Sequence, residues 1–396
     1  MRPNARLAAV QEVVADVCSN FFAGGLPADL LLKRYFQTRR YAGGGDRRFV
    51  RDMVFNIIRR YGVLQASLMA AGVERSERAA TEEGFEGFSA RSIVLAYLQL
   101  FEPDMLEHVT SGDPHGLDGL SGAEADLLKR LDMAAAQSAA PYLAAEVPDW
   151  AVAEFERRFS NDKKREDWPR EVLQSEAEAL STRAQLNVRL NPRLSATERA
   201  EAVAALEADG FIAANYSPYG FVHSDNMRLD TYPLYQSGKL EIQDEAAQIA
   251  SLFAGAAKGI KVIDLCAGAG GKTVFVGGLI GASKKAPIYA FDLDARRLEE
   301  TAKRCKRAGV AVRVQALAAI GERARAEALA PHAGTADVVI VDAPCTGSGT
   351  WRRSPDLRWR QDSERRAALT EMQFQLLSEA ASLVKPGRRL LYMTCS

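Results

Sequence analysis

The chain has 396 residues, of which 47% are hydrophobic and 26% are charged, and its formal net charge is zero. This length allows two or three domains with cores of their own, and the composition is that of an ordinary globular protein. No apolar run approaches the roughly 18 residues of a membrane span, so we expect no membrane partner. Zero net charge gives no general support for nucleic-acid binding, which must therefore depend on local patches.

The N-terminal region, residues 1–140, is predicted to be helical. Apolar residues recur at helical spacing over Arg6–Phe21, Arg47–Ile58 and Ser92–Phe101. Between Lys33 and Arg60, nine basic residues meet only two acidic ones and alternate with aromatic residues. This pattern suits an RNA-binding surface, but it also suits a solvated helix face, and both interpretations stay open.

The middle region, residues 141–238, is predicted to contain a linker, connecting helices and a small α+β unit. Pro141–Trp150 is expected to be the linker, followed by a helix over Asp149–Phe159 and by a mostly exposed, charged connection and helix over residues 161–178. The small unit is predicted as a strand, a helix and two strands over Gln185–Leu190, Ser195–Asp209, Phe211–Tyr216 and Gly220–His223. Ser195 and Glu198 have the spacing of a capping box. This unit could be an RNA platform, with Tyr216, Tyr219 and Phe221 stacking on bases, or a spacer.

From residue 239 to residue 396, short apolar runs alternate with helical patterns, which predicts a doubly wound, mostly parallel sheet. The predicted strands are Lys261–Leu265, Ile288–Phe291, Val310–Val314, Ala336–Val341 and Arg389–Thr394. The predicted helices are Asp244–Ala256, a segment ending at Leu279, Ala295–Ala308, Arg323–Leu329 and Asp362–Val384, and Lys385–Gly387 is expected to be a turn. Such sheets bind ligands at the carboxyl ends of their strands.

A glycine-rich loop, Cys266-Ala267-Gly268-Ala269-Gly270-Gly271-Lys272-Thr273, follows the first of these strands. A Walker A loop is excluded because Cys266 stands where its first glycine is required. A dinucleotide fingerprint would place its last glycine at Thr273, and a methyl-donor loop is the third possibility; these two stay open. In either case the glycines let a ligand approach the backbone at a helix N-terminus.

Asp292 ends the second strand of this region, where a carboxylate can accept hydrogen bonds from both hydroxyls of a ribose. That position suits NAD or S-adenosylmethionine. Because Asp264 adds a second negative charge, a positively charged sulfonium is favoured over a pyrophosphate.

Two cysteines follow strands of the predicted sheet. Cys345 comes just after Asp342, and Cys395 follows the last strand. If these strands pair, the two thiols and Asp342 face one crevice. Carbon 5 of cytosine becomes nucleophilic when a thiolate adds to carbon 6. A crevice with a reactive thiol, an acid on the Watson–Crick edge of the base and a methyl donor could therefore methylate cytosine.

The five cysteines contain no C-x-x-C pair, which favours reduced thiols in a cytoplasmic protein over a disulfide framework or a metal site. Cys18 and Cys305 are predicted to pack between helices, and Cys266 could be a small loop residue.

The sequence resembles the Sun/RsmB-like RNA (cytosine-5) methyltransferases. The motifs that carry the resemblance are Asp264-Leu265-Cys266-Ala267, Gly270-Gly271-Lys272-Thr273, Asp292, Asp342-Ala343-Pro344-Cys345, Arg353-Ser354-Pro355-Asp356 and Thr394-Cys395-Ser396. Gln243-Asp244-Glu245-Ala246 is similar to the family's entry into the catalytic domain. The N-terminal helices resemble, more loosely, the NusB-like RNA-binding domain of bacterial members.

The resemblance implies an α/β fold. A Rossmann-like methyltransferase domain at residues 239–396 would follow an all-α NusB-like domain at residues 1–140 and a small α+β linker subdomain at residues 141–238. It implies S-adenosyl-L-methionine as cofactor, RNA (most simply ribosomal RNA) as partner, no metal, and a monomer.

The resemblance also implies roles for single residues. Cys395 would attack cytosine, Cys345 would help to release the methylated product, and Asp342 and Lys272 would complete the catalytic set. The methyl-donor site would be lined by Cys266, Ala267, Gly268, Ala269, Gly270, Gly271, Lys272, Asp292 and Asp342.

The sequence departs from the family at three places. Ala269 replaces a usual proline, Gln315-Ala316-Leu317 lacks the aspartate expected near the adenine, and the chain stops at Ser396 where family members continue. A truncated, inactive chain is therefore one expectation. Two alternatives to the methyltransferase are an RNA-binding assembly factor without catalysis and an NAD(P)-dependent oxidoreductase, and the latter would leave both cysteine motifs unexplained.

Overall fold

The computed structural model describes residues 1–22, 25–74, 88–160, 170–225, 227–255 and 257–396. Contacts divide the chain into two units. Unit 1 comprises residues 1–183, 346–366 and 395–396, and unit 2 comprises residues 184–345 and 367–394. The division at residues 140 and 238 stays a prediction, and the first part of the expected connection over residues 161–178 lies outside the described residues.

The described part of residues 1–183 in unit 1 is built of helices, as predicted for residues 1–140 and for Asp149–Phe159. Its helices are α1 (Pro3–Phe22), α2 (Ala28–Thr38), α3 (Gly44–Arg59), α4 (Tyr61–Ala70), α5 (Ala90–Phe101), α6 (Gly122–Lys129), α7 (Met133–Ala139), α8 (Pro141–Ala144), α9 (Asp149–Ser160) and α10 (Arg170–Ser181). Helix α1 shows why: Leu7, Val10, Val14, Val17 and Phe21 recur at spacings of three or four residues and are all buried. One face of the helix therefore joins the core.

The expected linker at residues 141–150 is instead packed, and it is helical except for the turn at residues 145–148. It forms α8 and the start of α9, and Ala145 and Val147 are buried. Glu146 fastens this segment because its carboxylate accepts the N–H of Gly62 at the start of α4, at 2.9 Å. Prolines suggested a linker, but proline also suits the first turn of a helix, which is where it lies in α8.

A small antiparallel sheet opens unit 2. It contains β1 (Leu186–Leu190), α11 (Ala196–Ala208), β2 (Ile212–Ala213), β3 (Gly220–His223), α12 (Pro233–Gln236) and β4 (Leu240–Ile242), with strand order β2-β3-β1-β4. The predicted capping box is confirmed: the N–H of Glu198 donates to the Ser195 hydroxyl, and the N–H of Ser195 donates to the Glu198 carboxylate.

Two details of this sheet differ from the prediction. The strand predicted over Phe211–Tyr216 is only Ile212–Ala213, because β2 pairs with β3 over just two residues and Phe211 turns into the core. Strand β4 was not predicted. It pairs with β1, but three residues are too few to show the alternation by which strands are found in sequence.

The second sheet of unit 2 is parallel and doubly wound, as predicted. Its elements are α13 (Glu245–Leu252), β5 (Val262–Asp264), α14 (Gly271–Leu279), β6 (Ile288–Asp292), α15 (Ala295–Arg307), β7 (Val312–Ala316), α16 (Arg323–Leu329), β8 (Ala336–Asp342), α17 (Ser363–Leu383) and β9 (Val384–Met393). The strand order is β7-β6-β5-β8-β9, and all four pairings are parallel.

Strand β8 is covered on both faces. Val338 and Ile340 belong to one apolar cluster, whereas Val339 and Val341 belong to another that contains Leu376 of α17. Because successive side chains of a strand point to opposite faces, this division places a helix layer on each side of the sheet. The nearly all-apolar run of this strand is explained by that double burial.

Two strand boundaries shift. Val310 was predicted to begin the third strand, but its N–H donates to the carbonyl of Cys305 and closes the end of α15, so β7 begins later. The predicted turn at Lys385–Gly387 lies inside β9. The pairing jumps from Val384 to Arg389 there, so these residues form a bulge in the strand.

Candidate functional site

The glycine-rich loop leaves the middle strand of the parallel sheet. Strand β5 lies between β6 and β8, and the chain turns to opposite sides of β5 for its later strands. The loop follows Asp264, the last residue of β5, and ends where α14 begins at Gly271. This is the crevice at which open α/β sheets bind ligands.

Two glycines of the loop have positive φ angles, +55° at Gly268 and +83° at Gly270. A Cβ atom at Gly268 would lie 2.5 Å from a guanidinium nitrogen of Arg297, and one at Gly270 would lie 2.8 Å from the methyl of Thr301. The loop therefore packs this closely on α15 only with glycine at both positions. At Gly271 a Cβ atom would meet nothing nearer than 3.9 Å, so the start of α14 is open.

Asp292 ends β6 beside this loop, as predicted. One carboxylate oxygen accepts the N–H of Gly268 at 2.7 Å, and the other accepts the N–H of Asp294 at 2.9 Å. These two bonds fix the carboxylate, and each oxygen keeps a lone pair for a ligand hydroxyl.

Lys272 and Asp342 form an ion pair at the carboxyl ends of β5 and β8, with side chains 17% and 33% exposed. Asp264 is fully buried nearby and accepts the hydroxyl of Thr273 at 2.6 Å. Its second oxygen has no hydrogen-bond partner among the described residues. Burial, with a smaller contribution from Asp342, raises the pKa of Asp264 to about 7. The fold thus brings together Lys272 and Asp342, two of the residues predicted to be catalytic.

Helix α15 supports the loop from behind. The Thr301 hydroxyl donates to the carbonyl of Gly268, and the Arg304 guanidinium donates to the carbonyl of Ala269, both at 2.8 Å. Arg304 is paired in turn with Glu241 of β4 at 2.9 Å, and the Glu241 side chain is completely buried. Sequence reasoning missed these supporting residues, because they belong to no local motif and meet the loop only through the fold.

A buried arginine joins the two sheets of unit 2. The Arg189 guanidinium lies 4.4 Å from the ring centroid of Phe275 in α14 and donates to the side chain of Gln243. Burial lowers the pKa of Arg189 to about 9. The Gln243 motif, noted from the sequence as a domain entry, is therefore where the small sheet is fastened to the helix that carries the glycine loop.

The five cysteines all lie in described parts of the chain, and none forms a disulfide. Burial raises the pKa of Cys266 and of Cys305 to about 12, and it also raises the pKa of the fully buried Cys18. These three thiols stay protonated at neutral pH, which makes them poor nucleophiles. Cys345 is half-buried and Cys395 is exposed.

The two strands that precede Cys345 and Cys395 do pair, which was the condition set for a shared crevice. Strands β8 and β9 are parallel neighbours, with Asp342 opposite Met393. Cys345, which follows β8, belongs to unit 2. Cys395, which follows β9, is grouped with unit 1, where its carbonyl accepts the N–H of Gly349 at 2.7 Å.

The end of β7 is apolar where the family pattern has an aspartate. Leu317 is buried, and its N–H donates to the carbonyl of Asp292 at 2.9 Å. It packs in the cluster that also contains Phe291 and Leu329. A carboxylate at this position would be placed in an apolar core, at a cost in desolvation.

The Arg353-Ser354-Pro355-Asp356 motif lies in unit 1 and has a structural role there. The Asp356 side chain is buried, and it accepts the N–H of Ala28 at the start of α2 at 3.3 Å. Burial raises the pKa of Asp356.

The basic segment from Lys33 to Arg60 occupies α2 and α3. Its exposed cations include Lys33, Arg34, Arg40 and Arg48. The interleaved aromatic residues are less exposed than the cations. Tyr35 and Phe36 are buried in the helical core, and of these aromatic residues only Tyr41 is largely exposed. The exposed part of this segment therefore offers many cations and few aromatic rings.

On the small sheet, Tyr216 is 78% exposed, whereas Phe221 is buried and is unable to stack on a base. Within the described residues, no group of His, Cys, Asp or Glu side chains could hold a metal ion. No helix in the same residues is long and apolar enough to cross a membrane.

Comparison with known proteins shows similarity to ribosomal RNA methyltransferases. Residues 255–396 match the family model for 16S rRNA methyltransferase RsmB/F. The chain is 27% identical over 372 residues to the probable ribosomal RNA small subunit methyltransferase B of Synechocystis, covering 89% of this chain and 78% of that protein. It is 32% identical over 184 residues to ribosomal RNA small subunit methyltransferase B of Erwinia tasmaniensis, covering 44% of this chain but only 40% of that protein.

Solved structures agree on the fold. The crystal structure of PH0851 matches all of this chain and 86% of its own, with a TM-score of 0.66 and 23% identity. NSun6 from Pyrococcus horikoshii, solved with SFG, covers 64% of this chain and 84% of its own, with a TM-score of 0.50 and 16% identity. The predicted fold class, helices followed by a small antiparallel sheet and a parallel α/β domain, is confirmed.

Proposed function

We propose, from the match of residues 255–396 to the family model for 16S rRNA methyltransferase RsmB/F, that the chain is an S-adenosylmethionine-dependent RNA (cytosine-5) methyltransferase acting on ribosomal RNA through a covalent Cys395 adduct. The observation that carries the proposal is the Lys272–Asp342 ion pair beside the glycine loop and Asp292. Together these residues provide a carboxylate for a ribose, an open helix N-terminus and a fixed acid at a strand end. A cytoplasmic location and a monomeric state stay predictions.

The residues of the loop fit S-adenosylmethionine. Asp292 is held by two backbone N–H groups and can accept hydrogen bonds from ribose hydroxyls. Asp292 and Asp342 place two carboxylates beside the loop, which suits a ligand with a sulfonium and an ammonium group. An oxidoreductase using NAD(P) would place a pyrophosphate among these acids and would leave both cysteine motifs without a role.

The proposed reaction begins at Cys395. Its thiol loses a proton to solvent, and the thiolate adds to carbon 6 of cytosine, which moves the electrons of the 5,6 double bond toward carbon 5. Bound S-adenosylmethionine would supply the electrophilic methyl group: carbon 5 would bond to the methyl carbon as the methyl–sulfonium bond breaks, with S-adenosylhomocysteine as the leaving group. The exposed position of Cys395 supports this role, since the three buried cysteines have raised pKa values and Cys395 is accessible to a base.

Cys345 acts in the second half of the reaction. As a thiolate it takes the proton from carbon 5, the 5,6 double bond forms again, and the bond between carbon 6 and the Cys395 sulfur breaks. Asp342 accepts a hydrogen bond from the exocyclic amine of cytosine, and its ion pair with Lys272 holds the Asp342 carboxylate in place. The rate of release should therefore depend on Cys345, and the orientation of the base on Asp342.

The division of labour between the cysteines is the test. Cys395→Ala should abolish methylation and form no covalent RNA complex. Cys345→Ala should still form the adduct and accept the methyl group, so methylated RNA should remain attached to protein as a slow-migrating band on a denaturing gel. Cys305→Ala, a buried cysteine with no role in this scheme, is the matched control and should keep its activity.

The opposite gel pattern would contradict these assignments. If Cys395→Ala traps RNA and Cys345→Ala does not, the two roles are exchanged. Full activity in both variants would exclude the covalent mechanism. Bisulfite sequencing of small-subunit ribosomal RNA with and without the gene would then identify the cytosine or show that no cytosine is modified.

A further inference from the structure

Unit 1 contains a cavity that the proposed reaction does not use. Its volume is about 470 Å³, which is in the range of small-molecule sites. Arg59 and Arg60 line it from the end of α3, Phe101 from the end of α5, and Met133 and Ala144 from α7 and α8. Because residues of six helices (α3, α4, α5, α7, α8 and α10) line it, the cavity is a product of the domain fold and not of one loop.

The two arginines of the cavity have no carboxylate partner within ion-pair distance in the described parts of the chain. Arg59 donates to the carbonyls of Arg352 at 3.2 Å and Phe55 at 3.4 Å, both of which are uncharged. Arg60 is exposed, and its guanidinium lies 4.2 Å from the ring centroid of Phe101. The positive charge of both side chains is therefore available to an anion.

Two further arginines lie close enough to Arg59 to affect its charge. The pKa of Arg59 is lowered to about 10, first by burial and then by the nearby guanidinium groups of Arg183 and Arg358. Arg358 is 1% exposed, and one of its guanidinium nitrogens has no hydrogen-bond partner among the described residues. Several cations gathered around one cavity make a favourable site for phosphate, which arginine binds in a planar, bidentate manner.

The acidic residues at the cavity do not cancel this charge. The Glu146 carboxylate accepts the N–H groups of Gly62 and Val63 at 2.9 and 3.0 Å and lies 3.7 Å from Arg358. It is thus committed to the start of α4. Glu178 lies exposed at the rim, where solvent weakens its effect.

The remaining wall is apolar. Phe101, Val63, Met133, Ala144 and Ala145 contribute carbon surface, and Met133 is 45% exposed. An apolar wall beside an arginine stacked on an aromatic ring is the kind of surface on which nucleic-acid bases stack.

We propose that this cavity binds one nucleotide, with its phosphate on Arg59 and Arg60 and its base against Phe101, Met133 and Ala144. This inference goes beyond the proposed methylation, since the glycine loop and its neighbours belong to unit 2 and the cavity to unit 1. The nucleotide could be free or part of an RNA chain, and the two sources present the same phosphate and base.

The test is calorimetric titration of the whole protein with cytidine 5′-monophosphate, with inorganic phosphate and cytidine as separate probes. The mononucleotide should bind more tightly than either part alone. Arg60→Ala should weaken it by about tenfold, the ratio expected for one lost hydrogen bond to a charged group. Arg130→Ala, an exposed arginine of the same unit that does not line the cavity, should change nothing.

A cavity-filling variant and an RNA competition experiment distinguish the possible ligands. Ala144→Leu should fill the cavity and weaken the mononucleotide without lowering the thermal midpoint. Competition by a short single-stranded RNA, lost in Arg60→Ala, would identify RNA as the source, and no competition would identify free nucleotide. Displacement by S-adenosylhomocysteine, equal binding of phosphate alone, no mononucleotide binding, or equal weakening in Arg130→Ala would each overturn the proposal.

Discussion

The glycine loop of unit 2 and the basic surface of unit 1 hold their functional groups in opposite ways. In the loop, Gly268 and Ala269 are fixed through backbone hydrogen bonds to Asp292, Thr301 and Arg304. On the surface of α2 and α3, most cations extend into solvent. Where a ligand must be held in one position, the protein uses buried, paired charges; where it meets a flexible polyanion, exposed charges suffice.

The loop should be the more fragile region, and the largest effect is expected at Glu241. Glu241→Ala removes the carboxylate that pairs with Arg304 and Arg307 in a buried setting. The free energy of unfolding should fall by about 3–5 kcal/mol, as for other buried pairs that lose one partner. Glu327→Ala, which breaks an exposed ion pair with Arg323, is the control for urea denaturation and should cost less than about 1 kcal/mol. Similar losses in both variants would contradict the comparison.

The next effect concerns pH. Burial raises the pKa of Asp264 from 3.8 to about 7, so folding favours its protonated form. This contribution to stability is fully present below pH 3.8 and is lost as the pH rises toward 7. Asp264→Asn, which has no proton to lose, should therefore flatten the dependence of unfolding free energy on pH over this interval. An unchanged pH profile in thermal or urea unfolding would mean that Asp264 titrates normally.

A smaller effect is expected for ligand binding at Asp292. Asp292→Ala removes the acceptor proposed for the ribose and the anchor of Gly268. Titration with S-adenosylhomocysteine should show a loss of about 1–3 kcal/mol of binding free energy. Asp292→Asn keeps a hydrogen-bond acceptor but loses the charge. Its affinity for S-adenosylhomocysteine should therefore lie between those of the unmodified protein and Asp292→Ala. Equal affinities in all three proteins would make Asp292 only a solvated strand end.

The smallest change in free energy per substituted residue is expected for RNA binding by the basic surface of α2 and α3. Reversing the charge at Arg47, Arg48 and Arg51 should lower RNA affinity and make its salt dependence shallower, because fewer counterions are released. The fold should be unaffected, since Arg48 and Arg51 are exposed. The control reverses Lys129 and Arg130, which lie outside the segment. An unchanged salt slope would return Lys33–Arg60 to the interpretation of a solvated helix face.

Much of unit 2 could be predicted from the sequence because its signals are local. The buried run Ala336–Val341 indicated a strand covered on both faces, and Asp292 and the glycine loop were found by their positions after strands. Helix Arg323–Leu329 was predicted with the observed bounds. Each of these depends on backbone geometry or burial periodicity that a few neighbouring residues determine.

Other features were decided only by the tertiary structure. Glu241, Thr301 and Arg304 are far apart in sequence, and only the packing of β4 and α15 makes them supports of the loop. Residues 141–150 have the composition of a linker, yet Glu146, in the turn between α8 and α9, accepts the N–H groups of Gly62 and Val63, which packs the segment against α4. A local pattern specifies how the chain turns and which face is apolar. Which charged groups meet in the interior depends on contacts between distant segments, because only folding removes those charges from water.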